Sequence, residues 1–268
     1  MARKLETLMA EADSFQDLAR FYDALMAHVN YDRWIGVITR LADALPRNFL
    51  HVDLACGTGT ILKRLRQLGW QSVGIDLSVA MLKAGKKDSA LEGVAAGDFR
   101  ALPLRPCAHL VSCLFDSLNF LLTEQELRKA FYEVAATLNE KGLFYFDLIT
   151  ERMVTEHFAG QQWVESNGKF WTSWESDYCP KTRVSETRIR FGRGPLCVLR
   201  ERAYTQEQIE AALHRVGLHL ITVYDVETGG PPRRKTTRME FIATRSPSGI
   251  LQKAVLKIVA GVMAEFAR

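Results

Sequence analysis

Val52-Asp53-Leu54-Ala55-Cys56-Gly57-Thr58-Gly59-Thr60 decides the fold. An apolar strand ends in a carboxylate, two glycines let the backbone turn tightly, and a helical pattern starts at once over 60–68. Such a turn admits a ligand close to the main chain and aims helix N–H groups at it. A dinucleotide site wants a third glycine three residues after Gly59, and that position is Leu62. The Gly-Lys-Ser/Thr run of a phosphate loop is absent. Asp53, directly before the turn, would repel a pyrophosphate and suits a cationic ligand.

Outward from this turn, short apolar runs recur at 50–54, 72–76, 92–96, 109–115 and 143–148. Helical patterns over 60–68, 78–87 and 123–138 separate most of them, while 97–108 reads as turn and loop. Strands alternating with helices predict right-handed crossovers and a mostly parallel sheet. Thr123 with Glu126 forms a capping box, and Asn139-Glu140-Lys141-Gly142 predicts a helix stop and turn before the fifth strand. Beyond residue 160 the stretches 161–176, 183–192 and 196–203 alternate as an antiparallel meander, with Trp171 and Trp174 on opposite phases. A helix over 205–216 and strands at 218–226 and 238–244 follow. Two helices are expected over 13–45, and an apolar one over 249–268.

In open α/β sheets ligands bind beyond the carboxyl ends of the strands. Three carboxylates stand there in order: Asp53, Asp76 and Asp98. Asp76 can accept both hydroxyls of a ribose. Asp98 can accept from an adenine amino group, with Leu77, Met81 and Phe99 as apolar faces for the ring.

The chain has 268 residues and a net charge of +4. Residues 1–150 hold 17 Lys/Arg against 18 Asp/Glu, and residues 151–268 hold 18 against 13. The surplus suits an anionic substrate, a nucleic acid, or simply a solvated strand face. Five cysteines without metal-ligand spacing predict free thiols and no metal site. No apolar run reaches the ~20 residues that span a bilayer, and no signal segment opens the sequence. A cytoplasmic location is the expectation.

Asp53-x-x-Cys56-Gly57-Thr58-Gly59, Val73-Gly74-Ile75-Asp76-Leu77-Ser78-x-x-Met81-Leu82, Gly97-Asp98 and Asn139-x-x-Gly142 together resemble the successive motifs of class I S-adenosylmethionine-dependent methyltransferases. The resemblance covers residues 15–245. It implies an α/β fold, a Rossmann-like, seven-stranded, mostly parallel sheet, here with an antiparallel β-meander insertion and an extra C-terminal helix. Its cofactor is S-adenosylmethionine, and the motifs assign Asp53, Ala55, Cys56, Gly57, Gly59, Asp76, Leu77, Met81, Asp98, Phe99 and Leu114 to cofactor binding. Tyr22-Asp23, Tyr31-Asp32-x-Trp34 and Cys113-Leu114-Phe115-Asp116-Ser117-Leu118-Asn119 are similar to a small-molecule branch that includes glycine N-methyltransferase-like and sugar-nucleotide N,N-dimethyltransferase-like enzymes. The implied organisation is an N-terminal helical lid (1–48), a cofactor-binding core (49–150), a substrate cover (151–204), the end of the core sheet (205–245) and a C-terminal helix (246–268).

Methyl transfer from a sulfonium is an in-line displacement, so the protein supplies alignment, desolvation and an unprotonated nucleophile. An amine nitrogen is the first expectation for the acceptor, with oxygen or carbon as alternatives. Tyr22, Tyr31, Asp116 and His157 are candidates for moving the proton. Asp116 either faces the substrate or caps its loop; Asn119 either hydrogen-bonds substrate or fixes that loop. His51, on a buried strand, reads as a core histidine. An RNA methyltransferase would want an Asn/Asp-Pro-Pro-aromatic stretch where this chain has Phe115-Asp116-Ser117-Leu118, and a silent cofactor-binding scaffold is the non-enzyme alternative. The tail helix or the meander is expected to pack on its own chain or to join a homo-oligomer.

Overall fold

The computed structural model describes residues 15–86, 92–104, 106–166, 170–194 and 196–266. Seven strands, β1 (His51–Leu54), β2 (Ser72–Asp76), β3 (Val94–Ala96), β4 (Ala108–Cys113), β5 (Leu138–Ile149), β10 (His219–Asp225) and β11 (Arg238–Thr244), form one sheet in the order β10-β11-β5-β4-β1-β2-β3. All neighbours are parallel except β11, which runs antiparallel to both β5 and β10. β6 (Gln161–Ser166), β7 (Trp171–Cys179), β8 (Val184–Phe191) and β9 (Leu196–Arg202) make a separate antiparallel sheet.

The alternation of β5 explains why the main sheet is covered twice. Phe144, Phe146 and Leu148 face a core shared with Leu127, Phe131, Ile209 and Leu213, while Leu143 and Tyr145 face Val37, Ile38, Val255 and Val259. The first core lies under helices α5 (Glu124–Thr137) and α7 (Gln206–Arg215), each opened by a complete capping box, at Thr123/Glu126 and Thr205/Gln208. The second lies under α2 (Asp32–Leu41), α3 (Thr60–Gln67) and the tail helix α8 (Gly249–Phe266), and α4 (Val79–Lys86) follows β2. A buried carboxylate, Glu240, ties α2 to the sheet: the hydroxyls of Tyr145 and Tyr224 donate to it, as does Arg33 Nη2 at 3.4 Å.

Several expectations are revised. The turn predicted at Asn139–Gly142 is a bulge inside β5 instead: the register against β4 moves from Ala108↔Leu138 to Leu110↔Leu143. A Cβ on Gly142 would stand 2.8 Å from Leu138 and 3.0 Å from the Asn139 carbonyl, so the bulge depends on glycine. The stretch 161–176 is not one strand but the β6/β7 hairpin. A helix that periodicity did not reveal, α6 (Glu151–His157), is capped by Thr150. Among the described residues the first N-terminal helix is broken: residues 15–18 and α1 (Tyr22–Leu25) are helical, followed by a 3-10 turn at Met26–His28. Packing overrides propensity there, because Phe21 stacks on Phe191 at 4.7 Å and lies 4.6 Å from Phe170.

The tail helix packs on its own chain. Val255, Val259 and Val262 are buried against α2, where the Phe266 ring comes within 3.4 Å of the position a Cβ on Gly36 would take. No described helix is long and apolar enough to cross a membrane. Cys56, Cys107, Cys113, Cys179 and Cys197 are free thiols, and no metal-binding group occurs among the described residues.

Candidate active site

The strand-to-helix turn after β1 has three residues in the left-handed region, Ala55 (φ 55°), Gly57 (φ 57°) and Gly59 (φ 78°). Gly59 opens α3, and Gly57 holds a backbone conformation that side chains rarely adopt, with Met81 Cε 3.3 Å from where a Cβ would stand. Asp76, at the end of β2, organises the turn: its Oδ2 accepts from Gly57 N at 2.7 Å and its Oδ1 from Ser78 N at 2.7 Å. Burial raises its carboxyl, and those two N–H groups oppose the rise. Each carboxylate oxygen has a second lone pair, so Asp76 keeps accepting capacity toward the cavity it lines.

That cavity, about 490 Å³, lies beyond the carboxyl ends of β1, β2 and β4. Ala55, Gly57, Asp76, Leu77, Met81, Asp98 and Phe99 line it, so seven of the eleven residues assigned to the cofactor meet around one space. Asp98 accepts from Arg100 N at 2.8 Å and from Arg100 Nε at 3.0 Å, and Arg100 Nη1 reaches on to Glu126 at 2.8 Å. The N-terminal segment and the meander roof the cavity: Leu18, Tyr22 and Met26 come from the one, Trp174, Ile189 and Leu199 from the other. Asp23 Oδ1 accepts from Thr58 Oγ1 at 2.6 Å and latches this segment to the glycine turn.

The other four expected cofactor residues do not line the cavity. Asp53 lies beneath the turn, where its Oδ1 accepts from Ser112 Oγ at 2.6 Å; burial pushes its carboxyl up to about 7. Cys56 is buried with Leu62 and Leu82, Gly59 caps α3, and Leu114 packs in the second core. His51 is the core histidine expected, with Nδ1 at 3.1 Å from Ser72 Oγ and Nε2 at 2.9 Å from Ser112 Oγ; burial pushes its pKa down to about 3.

The four candidates for the acceptor end separate in the same way. Tyr22 and Asp116 line the cavity; Tyr31 and Asn119 do not. Tyr31 stacks behind Phe115 at 5.6 Å and under Arg64. Asn119 is fully buried and engaged with the backbone: Oδ1 accepts from Ile149 N at 3.1 Å, and Nδ2 donates to the carbonyls of Arg202 at 2.9 Å and Ile149 at 3.2 Å. It fixes the loop. His157 is exposed on the last turn of α6, outside the cavity lining.

Sequence reasoning missed three groups that gather round Asp116. Arg238, at the start of β11, donates from Nη1 to Asp116 Oδ1 at 2.8 Å and also to Asp147, a fully buried carboxylate near the end of β5. Asp116 N donates to Asp147 Oδ1 at 3.3 Å. Burial pushes the Asp147 carboxyl up to about 6, against the pull of Arg238. Glu201, on β9, lines the cavity, and its Oε1 is shut off from solvent without a hydrogen-bond donor. Phe115 (φ 64°) and Asp116 (φ 52°) are both left-handed without being glycine; such strain persists only where the surroundings enforce it. A polar residue closing an apolar strand, as Asp147 does in Leu143-Phe144-Tyr145-Phe146-Asp147, was the available signal. Arg238 stands in the sequence only as one of the 18 Lys/Arg of residues 151–268. Glu201, between Arg200 and Arg202, carries no signal of its own.

Residues 52–142, which contain the glycine turn and the first three carboxylates, match the Methyltransferase domain family Methyltransf_25. YqeM of Bacillus subtilis, a methyltransferase by name, is 28% identical over 253 residues, covering 87% of this chain and 97% of the relative. A dTDP-3-amino-3,6-dideoxy-alpha-D-glucopyranose N,N-dimethyltransferase of Streptomyces fradiae is 27% identical over 53% of this chain and 57% of its own length. Among solved structures, an S-adenosylmethionine-dependent methyltransferase of Clostridium acetobutylicum superposes with a TM-score of 0.75 at 23% identity, over 87% of this chain and 99% of that one. An amino pentose methyltransferase of Micromonospora echinaspora, solved with S-adenosylmethionine bound, gives 0.66 at 24% identity, over 84% and 96%. Residues 52–142 are a domain of that methyltransferase family, and the protein is an S-adenosylmethionine-dependent methyltransferase. Its cofactor is S-adenosylmethionine, which supplies an activated methyl group on a sulfonium.

Proposed function

We propose that this enzyme methylates the nitrogen of a small-molecule amine. One observation carries the reading: Asp116 and Glu201 bring two carboxyls to the cavity wall, and the cation beside them, Arg238, is committed to Asp116 and Asp147. Such a wall attracts an ammonium and repels an anionic acceptor. Arg200, which also lines the cavity, pairs with Glu186, and Arg183, Arg188 and Arg202 of the basic C-terminal half pair with glutamates and aspartates too. The amino-sugar specificity in the name of the Streptomyces fradiae relative points the same way.

In this reading Asp76 holds the cofactor ribose, and Asp98 with Leu77, Met81 and Phe99 receives its adenine. The N-terminal segment to residue 48 serves as lid, its first 14 residues lying outside the described residues, and 151–204 as substrate cover. Roofed on two sides, the cavity keeps water from the reacting atoms, and alignment of acceptor with donor lowers the barrier.

Calorimetric titration with S-adenosylmethionine, NAD and ATP comes first, followed by transfer of labelled methyl to amines, amino sugars, hydroxyl compounds and short RNAs. Product on amines alone supports the proposal. Product on hydroxyl acceptors, or RNA binding with a steep salt dependence, overturns it.

A further inference from the structure

We infer that Glu201 takes the proton from the acceptor nitrogen, with Asp116 as its carboxyl partner and Arg238 positioning that partner; this rests on the amine reading above. The Glu201 side chain reaches the cavity wall from β9, in the roofing sheet, and its Oε1 has neither solvent nor donor. A buried carboxylate oxygen without a donor is costly unless a ligand or a proton supplies one. The carboxyl of Asp116 lies within hydrogen-bonding reach of Glu201, and two such groups cannot both stay ionised, so one proton sits between them.

Among the described residues, the groups that act on the pair form one cluster, while Arg200, which also lines the cavity, pairs with Glu186. Asp147 comes from β5, Arg238 from β11, and Tyr22 from the N-terminal segment. Three carboxyls against one guanidinium, less the shared proton, leave one negative charge, the complement of one ammonium. The tyrosines are poorer acceptors: burial raises the hydroxyls of both Tyr22 and Tyr31, and only Tyr22 lines the cavity.

The step balances within the site. The ammonium of the bound acceptor gives one proton to Glu201 as the shared proton passes wholly to Asp116, leaving both carboxyls neutral and the acceptor a neutral amine. Its freed electron pair forms the N–C bond to the methyl as the C–S bond breaks, the pair of that bond remaining on sulfur. The proton on Glu201 leaves to solvent when product departs.

Two measurements test this. In the first, kcat is followed from pH 5.5 to 9 for the wild type and Glu201→Gln. The expected result is a fall of about 100-fold at neutral pH, with S-adenosylmethionine binding unchanged and a variant rate that climbs with pH as solvent base takes over. A variant within threefold of wild type, or one slowed equally at every pH, overturns the proposal. Should the glutamine variant fail to fold, Glu201→Asp keeps the acid on a shorter arm, and a pH limb unchanged from wild type overturns it equally. The second measurement needs no acceptor: carboxyl-carbon NMR of the S-adenosylmethionine complex, with Glu201 assigned by difference. Titration well above the ordinary glutamate value of about 4.3 supports the shared proton, and titration at that value overturns it. If only hydroxyl acceptors are methylated and the Glu201-dependent pH limb persists, the amine reading fails while the assignment of Glu201 as base survives.

Discussion

The two ends of the cavity are built by opposite strategies. The end assigned to the cofactor draws on one stretch of chain, residues 55–99, and on backbone N–H groups arranged by Asp76. The end assigned to the acceptor joins a tyrosine from α1, a loop residue after β4, a strand end on β5, a glutamate from the roofing sheet and an arginine from the last strand. A local turn is written in adjacent residues and is legible wherever it occurs. A cluster assembled from separated segments exists only once the sheet order is set.

The comparison can be broken experimentally. Arg238→Met should give the largest effect, a loss of about 3–5 kcal/mol of stability, because it strands the carboxyls of Asp116 and Asp147. Chemical denaturation measures that loss, and S-adenosylmethionine affinity should stay within threefold of wild type. A large loss of cofactor affinity would mean the two ends are not separable. Asp76→Ala should do the reverse, weakening S-adenosylmethionine binding at least 100-fold by calorimetry. Charge-assisted hydrogen bonds contribute about 1.5–3 kcal/mol each, and Gly57 N and Ser78 N lose their acceptor as well. An unchanged affinity would remove the ribose assignment.

Asn119→Ala sharpens the boundary between loop and chemistry. A cost of about 2 kcal/mol in stability is expected from the unpaired backbone groups, with kcat of the folded protein unchanged. A hundredfold fall in kcat without destabilisation would return Asn119 to the reaction. The last effect is a pH slope. Asp53, pushed up to about 7 when folded against about 3.9 unfolded, binds its proton more tightly in the native chain. Its stabilising contribution is therefore complete below pH 4 and is lost as pH rises through 7, with a slope of at most about 1.4 kcal/mol per pH unit. His51, held near 3, acts in the opposite sense below pH 6.5. Asp53→Asn should cancel the first slope and leave the second, as seen in thermal melts between pH 5 and 7.5.

The sheet was legible because each strand carries its own apolar run and each crossover its own cap, as at Thr123 and Thr205. The β5 bulge was not, since Asn139-Glu140-Lys141-Gly142 has the composition of a turn and only pairing with β4 decides otherwise. The broken N-terminal helix escaped for a related reason: Phe21 and Leu25 have helical spacing, yet the meander that claims them lies some 150 residues away. Asp76, Asp98 and the glycines could be placed from adjacent residues. Tyr31 and Leu114 have the right residue types near the right motifs but point into the second core. Glu201 was illegible because one strand carries Arg200, Glu201 and Arg202 in succession, and the register of β9 alone determines which of them meets Asp116.

The contact of Gly36 with the tail helix reaches further than stability. The helix that bears Gly36 also bears Trp34, whose ring packs 5.3 Å from Phe115 and 5.9 Å from the Arg238 guanidinium. The last helix of the chain is thus in mechanical series with the acceptor wall, although none of its residues borders the cavity. A Cβ at 36 would sit in ordinary contact with Phe266 at 3.4 Å, so a side chain extending well beyond its Cβ would press α2 and α8 apart and shift the indole against which the arginine rests. Variation at the carboxyl terminus can therefore tune acceptor geometry from behind the sheet, leaving the methyl donor's cradle as it was.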